Sequence, residues 1–257
     1  MMLLVDAGNT RIKWACFESA AVTAQSGVEL PRLGAWVQSG AMSHTEFAAT
    51  AHPWQGLPLE RVLISNVAGT AVRDRLLAAF QSESPPVQWF AAQAQLGGIT
   101  NHYRMPTQLG CDRFAAVIGA HALFPKKNLI VATCGTATTI DAVSAQGEFI
   151  GGMIAPGLKL MAESLHTNTA NLPAVAASGA LSALFADHTE AAIVSGCLSA
   201  QAGAIAHAVG MFVDVQPDAV LCVLSGGAAR YIAPHLRVEH QYVDNLVLIG
   251  LQVVAQW

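Results

Sequence analysis

The feature that most constrains the fold is a strand–turn–strand segment that occurs twice. In the first copy, the apolar run Leu3–Val5 precedes the first turn (Asp6–Thr10), and a return strand begins at Arg11. In the second copy, the apolar run Leu129–Ala132 precedes the second turn (Gly135–Thr139). The repeat predicts two related halves that each begin with a hairpin. Turns of this kind present N–H and hydroxyl groups to phosphate, so the repeat indicates a nucleotide held between the halves.

The first turn contains groups suited to a phosphate and to a metal ion. Gly8 allows close backbone approach, and the Asn9–Thr10 pair offers hydrogen-bond donors. Asp6 is suited to holding hydrated Mg²⁺ beside the phosphates. Arg11 or Lys13 would neutralise phosphate charge. The alternative is a surface hairpin with favourable turn residues.

The second turn offers backbone N–H groups and hydroxyls without positive charge. Taken alone, Thr136 and its neighbours are equally typical of a threonine-rich hairpin, because threonine favours strands. The layout shared with the first turn favours the phosphate interpretation. Neither turn has the Walker A or G-x-G-x-x-G pattern, which argues against the P-loop and Rossmann classes.

A third polar motif, Gly110-Cys111-Asp112-Arg113, lies at the predicted start of a helix over 113–124. Asp112 either caps this helix or accepts the proton of a substrate hydroxyl that attacks phosphorus. Arg113 is suited to a carboxylate or phosphate, or is a solvated charge. Tyr103 either lines a small-molecule pocket or is a partly buried loop residue.

Two glycine motifs, Gly151–Gly157 and Leu224–Ala228, each follow a predicted strand. The first is expected to open a helix whose N–H groups face the cleft, and the second to let adenine or ribose lie against the backbone. Each is also typical of a plain strand-to-helix connection.

Composition favours a cytoplasmic protein without nucleic-acid or membrane partners. Of 257 residues, 53% are hydrophobic and 12% are charged, and the formal net charge is −4. The absence of a dense lysine and arginine cluster argues against nucleic-acid binding. No uninterrupted apolar run reaches the ~18 residues of a membrane span, and a secretory signal is not expected. The five cysteines include no C-x-x-C pair, so zinc and disulfides are not predicted.

Periodicity and turn residues predict further elements. A helix with irregular flanks is expected within residues 28–56, a helix over 71–81, and a loop over 97–110. Thr189 is expected to cap a long helix over 190–212. A last helix over 245–254 is assigned to the second half.

Taken together, these segments resemble the type III pantothenate kinases, also known as the Bvg accessory factor family. That family belongs to the acetate and sugar kinase, Hsp70 and actin superfamily. The matching motifs are, in chain order, Asp6-x-Gly8-Asn9-Thr10-x-x-Lys13; Asn101-x-Tyr103-x-x-Pro106; Leu109-Gly110-x-Asp112-Arg113 with Gly119-Ala120; Gly135-Thr136-Ala137-x-Thr139-x-Asp141; Gly151-Gly152-x-Ile154-x-Pro156-Gly157; Thr169-Ala170-x-Leu172-Pro173; and Thr189 with Ser195-Gly196. Their order and spacing across nearly the whole chain make the resemblance specific.

The resemblance implies an α/β fold of two duplicated ribonuclease H-like domains of the actin-like ATPase superfamily, with a cleft between them. The domains are expected at residues 1–115 and 116–257. The implied reaction is ATP-dependent phosphorylation of pantothenate to 4'-phosphopantothenate, the first step of coenzyme A biosynthesis. Homodimers are typical of the family.

The resemblance also assigns roles to residues of this chain. Asp112 corresponds to the general base, and Asp6 lies near Mg²⁺. The residues implied to bind ATP and its phosphates are Asp6, Ala7, Gly8, Asn9, Thr10, Arg11, Ile12, Lys13 and Thr136. Those implied to bind pantothenate are Tyr103, Gly110, Cys111, Asp112, Arg113 and Thr189.

A monovalent cation, K⁺ or NH₄⁺, is a further implication of the resemblance. Relatives commonly have an aspartate ligand where this chain has Thr133. A neutral hydroxyl does not supply that charge. Either the cation binds through other oxygens, or this protein needs it less.

Two other functions fit the motifs. A kinase of another small alcohol, such as a sugar, would share both turns and differ in the acceptor loop around Tyr103 and Thr189. A nucleotide-sensing regulatory protein would bind ATP without catalysis, and the presence of Asp6, Asp112 and Thr136 argues against that loss.

Overall fold

A computed structural model describes residues 1–18, 32–49, 52–80, 85–176, 183–216 and 218–257. These residues form two compact units. The first unit combines Met1–Phe124 with Asn245–Trp257, and the second unit is Pro125–Asp244. The last helix therefore packs with the first unit, although its place in the sequence assigned it to the second half.

Both units are mixed α/β. The described strands are β1 (Met2–Ala7), β2 (Arg11–Phe17), β3 (Gln38–Ser43), β4 (Arg61–Asn66), β5 (Val87–Trp89), β6 (Gln95–Leu96), β7 (Ile99–Asn101), β8 (Asn128–Cys134), β9 (Ala137–Val143), β10 (Glu148–Pro156), β11 (Val220–Ser225) and β12 (His240–Tyr242). The described α-helices are α1 (His44–Ala49), α2 (Thr70–Ala79), α3 (Cys111–Leu123), α4 (Leu158–Asn168), α5 (Thr189–Val213), α6 (Ala229–Ile232) and α7 (Leu246–Gln256).

The main sheet of the first unit has the strand order β3-β2-β1-β4-β5. β1 is antiparallel to β2 and parallel to β4. It reads as a continuous apolar run because it is central, with Leu3, Leu4 and Val5 fully buried. One face of the sheet packs on an aromatic cluster around Trp54.

Helices α3 and α7 of the first unit pack closely through glycine. A methyl group on Gly250 would lie 1.8 Å from the Ala115 carbonyl oxygen, and one on Gly119 would lie 2.7 Å from the Leu246 carbonyl oxygen. Only residues without a side chain permit this approach between the two backbones. The contact attaches α7 to the helix that begins with the predicted catalytic motif.

Within the second unit, the sheet has the strand order β12-β11-β8-β9-β10. Helix α5 packs against one face of it through apolar residues that include Leu198, Ile205 and Phe212. By length and composition α5 is apolar enough to cross a membrane. Contacts with the sheet account for only part of this apolar character, since 44% of the most apolar stretch of α5 is buried.

Residues 38–49 differ from the helix predicted within 28–56. They form β3 and the short α1, and β3 pairs with β2 so that Gly40 lies opposite Trp14. A run of small residues has weak strand propensity, so pairing with β2, rather than local sequence, determines this strand. Residues 28–31 and 50–51 of the predicted helix, and Gln81 of the helix predicted over 71–81, lie outside the described residues.

Two smaller predictions were also wrong. The predicted loop over 97–110 contains β7 and a 3₁₀ turn at Pro106–Gln108. β7 forms a hairpin with β6 across Gly97 and Gly98, which both have positive φ, as tight hairpin turns require. Thr189 is the first residue of α5 rather than its cap, and His188 occupies the cap position without a side-chain hydrogen bond.

Candidate active site

The first turn is a tight connection between β1 and β2. Asp6 lies opposite Lys13, and the Gly8 N–H donates to the Arg11 carbonyl oxygen at 3.0 Å. Asn9, Thr10 and Arg11 are exposed. Among the other predicted phosphate-binding residues, the side chains of Ala7 and Ile12 are fully buried in the core, which leaves their backbone groups as the available contacts.

Asp6 and Asp112 interact electrostatically, although 105 residues lie between them in the sequence. Burial raises the pKa of Asp6 to about 7, the Asp112 carboxylate adds to the increase, and Lys13 opposes it. Burial also raises the pKa of Asp112, against hydrogen bonding and charge from Arg113. The first unit therefore holds two carboxylates in an environment that disfavours their charge.

Helix α3 positions Asp112 in its first turn. The Arg113 N–H donates to Asp112 Oδ1 at 2.8 Å. Gly110 occupies the cap position, and a methyl group there would lie 2.8 Å from the same oxygen. Asp112 therefore does not cap the helix, and Gly110 leaves the space in which its carboxylate lies.

Arg113 and Tyr103 are joined by a hydrogen bond. Arg113 is only 7% exposed, and its Nη1 donates to the Tyr103 hydroxyl at 2.9 Å. The Asn101 side chain fixes the tyrosine loop, accepting from the Tyr103 N–H at 3.1 Å and donating to the Gln93 and Pro106 carbonyl oxygens at 3.2 Å. The buried side-chain amide of Asn101 therefore holds the loop that carries Tyr103 in place.

Cys111 connects the start of α3 to the end of β4. The Ser65 hydroxyl donates to Cys111 Sγ at 3.3 Å, and that thiol donates to the Asn66 carbonyl oxygen at 3.6 Å. Burial raises the pKa of the Cys111 thiol, so it remains a neutral hydrogen-bonding group at neutral pH. Ser65 lies beside Asp6 in the parallel register of β1 and β4, and neither Ser65 nor Asn66 was predicted for the site.

In the second unit, three glycine-containing segments meet at the second turn. The Gly135 N–H donates to the Ala137 carbonyl oxygen at 2.9 Å, and the Gly157 N–H donates to the Thr136 carbonyl oxygen at 3.0 Å. A methyl group on Gly157 would lie 2.2 Å from the Gly135 carbonyl oxygen, and one on Gly226 would lie 2.4 Å from the Cys134 carbonyl oxygen. The two glycine motifs therefore support the second turn directly.

Comparison with known proteins identifies the family. Residues 2–210 match the family model for type III pantothenate kinase. A type III pantothenate kinase of Janthinobacterium sp. (strain Marseille) is 54% identical over 260 residues, which cover 99% of this chain and 97% of that protein. The chain belongs to the type III pantothenate kinase family.

Solved structures show the same fold. A Baf family transcriptional activator from Campylobacter jejuni has a TM-score of 0.58 at 17% identity, covering 98% of this chain and 96% of that one. A 2-dehydro-3-deoxygalactonokinase from Sinorhizobium meliloti has a TM-score of 0.54 at 15% identity, covering 100% and 98%. The α/β fold class predicted from the sequence is confirmed.

Family membership also confirms the predicted enzyme class. Type III pantothenate kinases phosphorylate pantothenate in coenzyme A biosynthesis, and at this identity over the full chain the same reaction is assigned here. In the first unit, Asp6, Asp112, Arg113 and Tyr103 form two interacting pairs, whereas Thr136 and the exposed Thr189 belong to the second unit.

The carboxylates of this pantothenate kinase fit a divalent cation. Asp6 and Asp112 repel each other, and a nearby cation would relieve both charges. Mg²⁺ keeps several of its waters and needs only one or two carboxylates beside substrate phosphates. Among the described residues, no cluster of three or more histidine, cysteine or acidic side chains is present, so a site built entirely from protein ligands is not found there.

Proposed function

We propose that this chain phosphorylates pantothenate by in-line transfer of the ATP γ-phosphoryl group to the primary hydroxyl, which gives 4'-phosphopantothenate. The observation that carries the mechanism is the position of Asp112. Its carboxylate is held at the start of α3, interacts with Asp6, and is hydrogen-bonded through one oxygen to the Arg113 N–H.

Asp112 acts as the general base. A primary alcohol has a pKa far above neutrality, and bond formation to the nucleophile lags in a loose phosphoryl transfer. Asp112 therefore orients the hydroxyl first and takes its proton late. The direction of its pKa shift, upward through burial, makes this carboxylate a stronger base than an exposed one.

The two turns bind the phosphates through backbone N–H groups and the hydroxyls of Thr10 and Thr136, with Lys13 and Arg11 supplying positive charge. Asp6 holds Mg²⁺, which when bound supplies charge that stabilises the phosphoryl oxygens. Residues Asp6–Lys13 and Thr136 thus form the proposed ATP contacts.

Pantothenate recognition is proposed for the Tyr103–Arg113 pair, together with Gly110, Cys111 and Thr189. The buried guanidinium of Arg113 is suited to the substrate carboxylate because its fork matches two oxygens. The hydrogen bond that this fork donates to the Tyr103 hydroxyl restricts its orientation before substrate arrives.

The decisive experiment measures ADP release from the purified protein with pantothenate as acceptor. Asp112→Asn preserves the size of the side chain and the acceptor for the Arg113 N–H, so it should fold and bind ATP while turnover falls by about 10²- to 10⁴-fold. Near-normal turnover in Asp112→Asn would remove this residue from the base role.

Other acceptors test the alternatives. Sugars and other small alcohols should give no ADP release above the background rate of ATP hydrolysis. ATP binding without pantothenate-dependent ADP release would identify a nucleotide-sensing protein instead.

A monovalent cation, K⁺ or NH₄⁺, is proposed to bind at neutral oxygens beside Thr133. This residue lies in register with Ser225 on β11 and Thr139 on β9, and the Thr139 hydroxyl is buried with no partner among the described residues. Replacing Na⁺ by K⁺ at constant ionic strength should raise both the melting temperature and the rate. Thr139→Val should abolish both effects, and equal behaviour of the wild type in the two salts would refute the proposed site.

A homodimer is proposed as the state in solution. On the second unit, Ile150, Met153 and Met211 are exposed and line an apolar groove of about 270 Å³. Exposed apolar surface of this kind is typical of subunit contacts. Light scattering should give twice the monomer mass, and Met211→Glu should lower it. Leu77→Glu, at an exposed leucine of the first unit, is the control.

The cytoplasm is proposed as the location, with no nucleic acid or membrane among the partners. The net charge of −4 argues against nucleic acid, and α5 packs on the sheet of the second unit through Leu198, Ile205 and Phe212, which argues against a membrane. Fractionation of cells that express the protein should recover it with the soluble enzymes, and recovery with the membranes would contradict the proposal.

A further inference from the structure

A histidine that no sequence motif indicated contacts the first turn. His44 is the first residue of α1, and its Nε2 lies 2.9 Å from the Gly8 carbonyl oxygen. A carbonyl oxygen only accepts, so Nε2 carries the proton and donates it. The other ring nitrogen, Nδ1, is buried and has no hydrogen-bond partner among the described residues.

His52 also has a buried Nδ1 without a partner among the described residues, so the bond to the first turn is what distinguishes the His44 ring. An unpaired buried acceptor is unfavourable, because the nitrogen gives up its hydrogen bond to water and gains none in exchange. In spite of this cost, the His44 ring keeps the orientation in which its one satisfied nitrogen, Nε2, donates to the Gly8 carbonyl oxygen. The bond joins residues 36 positions apart, and Gly8 is the residue of the turn whose carbonyl receives it.

The bond has a geometric consequence for the turn. In a trans peptide the carbonyl and the following N–H point in opposite directions, and the described residues contain no cis peptide. Holding the Gly8 carbonyl toward His44 therefore directs the Asn9 N–H away from His44. The Gly8 N–H is already used by Arg11, whereas the structure gives the Asn9 N–H no acceptor among the described residues.

We propose that His44 is a positioning residue that presents the Asn9 N–H to a phosphate group of ATP. This inference rests on the proposed function, in which the first turn binds ATP phosphates. Without the histidine, the Gly8–Asn9 peptide is free to rotate, and in a rotated state a carbonyl oxygen would face the phosphate. Loss of His44 is therefore expected to weaken ATP binding specifically.

The test compares His44→Ala with two matched variants by calorimetric titration of Mg²⁺-ATP. His44→Gln retains a side-chain N–H donor and should restore binding. His52→Ala removes a second histidine from the same corner of the unit, where it stacks on Phe47 at 4.4 Å, and its Nδ1 is also buried without a partner. His52 makes no bond to the turn, so it reports the effect of lost packing alone.

Loss of one phosphate contact corresponds to roughly a tenfold change in affinity. His44→Ala should therefore bind Mg²⁺-ATP about tenfold more weakly, with KM for ATP raised by the same factor and KM for pantothenate and kcat changed less than about twofold. His44→Gln and His52→Ala should both bind ATP within about threefold of the wild type. The Asn9 amide resonance should shift on ATP addition in the wild type and not in His44→Ala.

Three results would overturn the inference: unchanged ATP affinity in His44→Ala, an equal loss in His52→Ala, or no recovery in His44→Gln. If His44→Ala does not fold, the comparison of His44→Gln with His44→Leu replaces it. Failure of the proposed function is distinguishable, because it would appear as wild-type protein that lacks pantothenate-dependent ADP release, whereas the titrations require no acceptor.

Discussion

At the scale of single residues, Asp6 combines burial with a negative charge, and the two properties conflict. Its pKa of about 7 in the folded protein lies well above the usual value of 3.8. A carboxyl group with a raised folded-state pKa favours the folded state at low pH, and that contribution is lost as pH rises through the folded pKa. Without a cation, the wild type should therefore become less stable between pH 6 and pH 8.

This pH dependence is tested by melting Asp6→Asn and the wild type side by side in EDTA. Over these two pH units, a group titrating near 7 loses about 1.4 kcal/mol of stability relative to the neutral amide. The melting temperature of Asp6→Asn relative to that of the wild type should therefore be roughly 4 °C higher at pH 8 than at pH 6. Asp74→Asn, at an exposed residue of α2, is the control. A constant difference between Asp6→Asn and the wild type would mean that Asp6 is not held in a desolvated site.

At the scale of elements, the two turns use glycine for different reasons. A methyl group on Gly8 would lie 3.4 Å from the Arg11 carbonyl oxygen, an ordinary contact, whereas one on Gly157 would overlap the second turn. Gly8→Ala should therefore melt within about 2 °C of the wild type. Under the proposed function it should also lose at least tenfold in ATP affinity, because its methyl group would obstruct the phosphate that the first turn is proposed to bind.

Gly157→Ala should behave differently. Its methyl group would lie 2.2 Å from the Gly135 carbonyl oxygen, and backbone cannot move aside as a flexible side chain does. We expect a loss of roughly 3 kcal/mol in the free energy of unfolding, together with weaker ATP binding. Chemical denaturation measures the free energy of unfolding of Gly8→Ala and of Gly157→Ala. Equal stabilities of these two variants would show that Gly8 is also structural.

The strands that carry the site were predictable because their patterns are local. β2 and β4 have the predicted bounds, Arg11–Phe17 and Arg61–Asn66, since each is a compact apolar strand between turn residues. β3 was not predictable, because its small residues acquire strand structure only by pairing with β2. His44 was missed for a similar reason, since nothing in the sequence around it indicates a carbonyl partner 36 residues away.

At the scale of the whole molecule, the chain leaves the first unit after Phe124 and returns to it at Asn245. Sequence order assigned the last helix to the second half, whereas its contacts with α3 and the hydrogen bond that Arg61 donates to the Ala255 carbonyl oxygen show that it packs in the first unit. Gly250 is the closest point of that contact, since its absent side chain lets the α7 backbone approach Ala115. The predicted catalytic motif at the start of α3 thus depends on the last residues of the chain.

Gly250→Ala tests this dependence. The methyl group would lie 1.8 Å from the Ala115 carbonyl oxygen, so α7 must move away from α3 at a cost of about 3 kcal/mol or more, roughly a 10 °C loss in melting temperature. Gly210→Ala is a matched control, because Gly210 also lies inside an apolar helix and its methyl group would meet nothing within 4 Å. That substitution should stabilise the protein by up to ~1 kcal/mol through helix propensity. Equal and small effects of the two alanines would mean that α7 does not pack on α3 through Gly250.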